Sequence, residues 1–107
     1  MHAVTAVSGS GPAYVFYLMG ALQQAAQDLG LDADTAHALA WQTFRGAAEL
    51  AAQSGADFAK LQADVTSKGG TTAAALDVFA QYNIAARLQE GVQAAAARSQ
   101  ELARLFK

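Results

Sequence analysis

At 107 residues the chain has the length of one small domain; 53% of it is hydrophobic, alanine is its commonest residue and only 15% is charged. That balance excludes a disordered segment, and a fold of this size buries roughly two-thirds of the surface its unfolded chain exposes. Seven Lys and Arg against nine Asp and Glu leave a net charge of −2, which offers no basic stripe to nucleic acid and no cationic cluster to a membrane surface.

No cysteine is present, so disulfides, thiolate catalysis and thiolate metal sites are removed, and a cytoplasmic setting fits. No apolar run is long enough to span a bilayer, and the first residues lack the parts of a signal peptide. Alanine-lined helices approach closely but bury little area each. A short chain built from them is expected to complete its core against a second copy of itself.

Met1–Val7 is a short apolar stretch compatible with helix or strand. Ser8-Gly9-Ser10-Gly11-Pro12 reads as a compact loop ending in a helix start, where serine caps well and the only proline is tolerated in a first turn. Tyr14, Leu18, Leu22, Ala25 and Leu29 then recur at helical spacing opposite Gln23, Gln24, Gln27 and Asp28, with Gly30 as carboxy-terminal cap and Asp32 or Asp34 opening the next helix. From about Ala33 to Ser54 the inner stripe holds Ala36, Leu39, Ala40, Phe44, Ala47, Leu50 and Ala51, with Trp41 as a large neighbour. Gly46 inside it costs about 1 kcal/mol relative to alanine, which points to another backbone passing close by.

Gly55 ends that helix, and Asp57 caps a short third one through Phe58 and Leu61 toward Val65. A fourth short helix carries Leu76 and Phe79. A last long one from about Asn83 carries Ile84, Leu88, Val92, Ala95 and Leu102, with Arg87, Glu90, Arg98, Glu101 and Arg104 on its solvated side. Strand signals are nearly absent, so the fold class is all-α, with two or three long helices joined by short connecting ones.

Between the third and fourth helices lies Val65-Thr66-Ser67-Lys68-Gly69-Gly70-Thr71-Thr72. Two glycines permit positive φ or close approach to a ligand, and the Ala73–Leu76 run that follows favours helix. The first amides of such a helix have no partner within it and, with the positive end of the macrodipole, suit a carboxylate or phosphate. The plainer alternative is a turn between two helices with a threonine cap.

Other chemistry fails on spacing. His2 and His37 are isolated, which excludes a zinc site and marks both as exposed or incidental. Ser8 and Ser10 have no histidine near them in sequence, and Gly9 and Gly11 follow no strand, so neither a nucleophilic triad nor a dinucleotide fingerprint is supported. Tyr14, Phe16 and Tyr17 at helical spacing read as packing residues.

The block Ala3-Val4-Thr5-Ala6-Val7-Ser8-Gly9-Ser10-Gly11-Pro12-Ala13-Tyr14, followed some fifty residues later by Val65–Thr72, closely resembles the carboxy-terminal dimerisation domain of pyrroline-5-carboxylate reductase. The resemblance covers essentially the whole chain. It implies a single helical dimerisation and substrate-binding domain over residues 1–107, interlocked with a second copy, the family's amino-terminal dinucleotide-binding domain being absent from the sequence. It also implies reduction of 1-pyrroline-5-carboxylate to proline by NADPH or NADH in the full-length enzyme. This chain alone is then expected to be inactive and to bind neither cofactor, with 1-pyrroline-5-carboxylate or proline as its small-molecule ligand and a homodimer, or a larger assembly, as its state.

Carried over by position, the amides of Gly70, Thr71 and Thr72 hold the substrate carboxylate, the catalytic Thr72 hydroxyl lies at the ring nitrogen, and Ser67 shapes the loop. Ser8, Gly9, Ser10, Gly11 and Pro12 fall near the cofactor end of the site. Lys68 departs from the family pattern, in which proline is common at that place, and so loosens the turn while adding a cation beside the anion site. A non-catalytic helical homodimerisation module that binds no small molecule is the alternative reading.

Overall fold

The computed structural model describes residues 1–106. Its elements are α1 (His2–Val4), a π-helical segment π1 (Thr5–Gly9), α2 (Gly11–Asp28), α3 (Ala33–Ser54), α4 (Phe58–Asp64), α5 (Thr71–Gln81) and α6 (Ile84–Leu105). No strand occurs among the described residues, as the scarcity of β-branched residues and hairpin turns leads one to expect. The chain forms two compact units, one made of residues 1–12 with the stretch from Val65 onward, the other of Ala13–Asp64.

In the second unit the helix ends are written in the sequence. Gly30 adopts φ 104°, its N–H bonds the Gln27 carbonyl at 2.9 Å, and the Leu31 N–H reaches back to Ala26 at 3.1 Å, the paired bonds of a Schellman ending that needs a residue free to take positive φ. The Asp32 carboxylate then accepts the Thr35 N–H at 2.8 Å and opens α3, which stops at Gly55 in the left-handed region with φ 67°. Asp57 caps α4 through the Lys60 N–H at 2.9 Å.

Packing within this unit is thin. Of the α3 stripe only Ala36 and Ala40 are buried; Leu39 stays 47% and Leu50 50% exposed. Leu22, Ala25 and Ala26 of α2, with Leu29 just beyond its end, line an open apolar groove of about 310 Å³ together with Leu39 and Thr43 of α3. Each leucine left half exposed forgoes roughly half of the ~1.5–3 kcal/mol that full burial would contribute. Gly46 has no neighbour within 4 Å of where a Cβ would stand, so the backbone approach its sequence suggests is not made within the chain.

The first unit is built on α6. The amino-terminal segment, ambiguous in sequence, is helical, and α1, π1 and α5 all pack on α6. Ala6 is buried there, and Val92, Ala95, Ala96 and Ser99 form the half-buried face of α6. His2 is not incidental: its Nδ1 lies 2.8 Å from Ser99 Oγ, a partly buried hydrogen bond that ties the start of the chain to α6.

The Ser8–Pro12 loop is likewise corrected. Ser8 and Gly9 belong to π1, Ser10 is a bend, and Gly11 and Pro12 are already in α2. In an uninterrupted α-helix the Pro12 ring would strike the Ser8 carbonyl and leave it without a donor; the wider π turn, closed by Ser10 N–H on the Thr5 carbonyl at 2.9 Å, relieves that conflict. At the other end of the unit α5 reverses into α6 through Asn83 at φ 54° and ψ 45°, a left-handed conformation asparagine tolerates better than most side chains.

Candidate functional site

The glycine turn is closed by the Gly70 N–H, which donates to the Ser67 carbonyl at 3.0 Å. Gly69, third in this four-residue turn, has φ 73°, the requirement of a type II turn, and Lys68 occupies the second position. Gly70 itself is extended, with φ −88° and ψ −174°, and stands as the N-cap of α5 with no side-chain cap. The first bond of the helix runs from the Ala74 N–H to the Gly70 carbonyl at 3.2 Å.

This arrangement shifts the expected donor set by one residue. The Gly70 amide is consumed in closing the turn, and the amides of Thr71, Thr72 and Ala73 are the three that find no acceptor among the described residues. Ala73, missed in sequence, follows from counting: if Gly69 must take positive φ and Gly70 must close the turn, the first three helical positions are 71–73. The threonine cap is not made either, because both threonines lie inside the helix. No acidic residue sits in the first turn of α5. Gly70, Thr72 and Ala73 are half-buried, whereas Ser67, Lys68 and Thr71 are exposed.

The second sequence block is mostly helical rather than an open loop. Ser8 Oγ donates to the Val4 carbonyl at 2.9 Å, and the Ser10 amide is taken by Thr5. A dinucleotide pyrophosphate is held by a strand, a glycine turn and a helix start acting together. With no strand among the described residues and the 8–12 stretch largely hydrogen-bonded as helix, that three-part arrangement is not built by these residues. Ser8 and Gly9 of π1 and Thr71 and Thr72 of α5 belong to elements that each pack on α6. Elsewhere, Phe16, Met19, Trp41 and His37 line a groove of about 210 Å³ in the second unit. Among the described residues no three His, Asp or Glu side chains gather at metal-binding range, and no helix is long and apolar enough to cross a membrane.

Fold and turn together define an all-α domain with a very small core and, at α5, a half-buried helix start without a side-chain cap. Comparison with known proteins gives that class a family. Residues 1–102 match the family described as pyrroline-5-carboxylate reductase dimerisation, and the chain belongs to it. A pyrroline-5-carboxylate reductase of Pasteurella multocida is 46% identical over 107 residues, covering 99% of this chain and 39% of that protein. The Pseudomonas aeruginosa reductase is 48% identical over 101 residues, covering 94% and 37%.

Among solved structures, Plasmodium falciparum pyrroline carboxylate reductase with NADP bound superposes with a TM-score of 0.91 at 31% identity, covering 94% of this chain and 38% of that one. The Coxiella burnetii reductase gives 0.90 at 42% identity, covering 94% and 37%. The chain thus spans about two-fifths of the length of the relatives it matches.

Proposed function

We propose that this chain is the dimerisation and substrate-binding domain of a pyrroline-5-carboxylate reductase, which reduces 1-pyrroline-5-carboxylate to L-proline in the cytoplasm as part of proline synthesis. The observation that carries the reading is the set of three unpartnered amides behind the glycine turn, in a chain whose family is defined by that enzyme. The Thr71, Thr72 and Ala73 amides grip the substrate carboxylate, aided by the positive end of the α5 dipole. Ser67 keeps the turn closed through its carbonyl. The Thr72 hydroxyl, one helical position inside that grip, faces the ring nitrogen and orients the imine or handles the proton that nitrogen gains on reduction.

Hydride comes from NADPH or NADH held outside these residues, a reading supported by the NADP bound to the Plasmodium relative. Ser8–Pro12 lies toward that end of the site. Two copies of the chain cover one another: Phe16, Tyr17, Leu29, Phe58 and Tyr82 are each at least 66% exposed, and Gly20, Gly46 and Gly91 have open space where a Cβ would stand, which leaves room for a partner's backbone. A monomer mass by light scattering at micromolar concentration would count against that pairing.

The test of the chemistry is Thr72→Ala in the full-length enzyme, with NADPH oxidation measured on the imine. It is expected to lower kcat/KM by about 10- to 1,000-fold. An unchanged rate removes Thr72 from its role, and robust turnover by this chain alone would refute the need for a separate cofactor domain.

A further inference from the structure

We infer that Lys68 is an electrostatic positioning residue for the anionic substrate: its cation, fixed at the second position of the Ser67–Gly70 turn, draws the carboxylate to the start of α5. The inference rests on the carboxylate reading above. Lys68 is exposed, and among the described residues it makes no ion pair. The nearest acid preceding it in sequence, Asp64, is engaged by Lys60 at 3.0 Å, and the first turn of α5 contributes none.

Within the turn and the first turn of α5, residues 66–73, the one formally charged side chain is therefore the Lys68 ammonium, and it adds to the positive helix end and its three open N–H groups. The hydrogen bond from the Gly70 N–H to the Ser67 carbonyl at 3.0 Å pins the Lys68 backbone beside the N-cap. A lysine stem then keeps its charge within about one Debye length, roughly 10 Å, of a carboxylate on those amides. At that range and in partly wet surroundings the attraction strengthens binding several-fold without touching the reacting atoms.

The alternative role for position 68 is mechanical, a residue that merely permits the turn. Proline, preferred at the second position of such a turn, separates the two because it keeps the geometry and removes the charge. The experiment measures KM and kcat for the imine in the full-length enzyme at low and at high salt, for Lys68→Gln, Lys68→Pro, Lys68→Glu and Lys68→Arg, beside Thr72→Ala. The expected result is a KM raised about 2- to 4-fold by Gln and by Pro and about 5- to 15-fold by Glu, with kcat unchanged. Those differences should shrink below about 1.5-fold at ~0.5 M salt, and Arg should follow the parent.

A Pro variant indistinguishable from the parent, or a rise in KM that salt does not diminish, overturns the inference and leaves the mechanical role. If Thr72→Ala is impaired while the charge variants are not, only the Lys68 inference fails. If neither responds, the role of the Thr72 hydroxyl fails as well; the carboxylate reading itself fails if 1-pyrroline, which lacks the carboxylate, shows the same KM as the imine acid in the parent enzyme.

Discussion

Two helix starts in this chain solve the same physical problem in opposite ways. At α3 the chain supplies its own anion: the Asp32 carboxylate takes the Thr35 N–H at 2.8 Å, and Asp34 adds a second negative charge in the first turn. At α5 it supplies none, placing a glycine at the N-cap, two threonines and an alanine over the first turn, and a lysine just outside. The α6 start also lacks a side-chain cap, but Ile84 there is 44% exposed, whereas Gly70, Thr72 and Ala73 are half-buried. A capped start is finished by folding. An open, half-buried start is finished by something that arrives, and in this family that is a substrate carboxylate under the reading proposed above.

The sharpest way to break the comparison uses two glycines in the same backbone state. Gly55, behind α3, has φ 67°, and Gly69, before α5, has φ 73°; a Cβ at either would meet nothing within 4 Å. Alanine at each should therefore cost a similar ~1–2 kcal/mol of conformational strain. Only Gly69→Ala should also disturb the donors, lowering kcat/KM in the full-length enzyme by about tenfold or more, while Gly55→Ala leaves KM where it was. Equal kinetic effects from the two would mean that the turn matters only for folding. Gly70→Ala extends the test. Its Cβ would stand 3.2 Å from the Ser67 carbonyl oxygen, so that carbonyl, the acceptor that closes the turn, must give by a few tenths of an ångström, and a loss of substrate affinity should accompany any loss of stability.

A smaller effect asks whether damage to the first unit reaches the substrate at all. Ser99→Ala removes the partner of His2 Nδ1, now 2.8 Å away in a partly buried contact. It should cost about 1 kcal/mol, read as a lower denaturant midpoint. Because this bond ties α1 to α6 rather than holding α5, KM for the imine should stay within about twofold of the parent. A large rise in KM would show that the open amides are positioned through the amino-terminal segment.

What could be read from the sequence divides along the same line. Gly30, Asp32, Gly55 and Asp57 are local devices whose geometry depends on their own few residues, and the helix ends fall where they direct. The glycine turn was legible as a helix start, but the amides it leaves open lie one residue later because the turn closes on the amide of Gly70, a bond invisible until Gly69 is known to take positive φ. The π segment escaped notice because Ser8-Gly9-Ser10-Gly11-Pro12 has the composition of a loop; packing against α6 keeps it helical and Pro12 widens it. The His2–Ser99 bond spans 97 residues, and no periodicity connects such distant positions. The thin core was anticipated from alanine content. It is thinner than expected because leucines such as Leu39 and Leu50 point their area outward.

The smallest effect concerns acid. The Thr35 N–H, bonded to the Asp32 carboxylate, holds that carboxyl below the usual aspartate range. A group whose folded value is depressed contributes its stability above the unfolded value and loses it as pH falls through the folded one. The α3 cap is therefore at full strength at neutral pH and fades only below about pH 4, whereas the α5 start, with no acid in its first turn, has no comparable titration of its own. Asp32→Asn keeps an acceptor at the cap but removes the charge and its titration. Its thermal midpoint should lie below the parent's at pH 7 by a degree or so, and the gap should narrow as both are acidified. A gap that widens instead would mean that the Asp32 carboxyl gains rather than loses favourable contacts on protonation, and the contrast between a start capped by its own anion and one left open would no longer hold at α3.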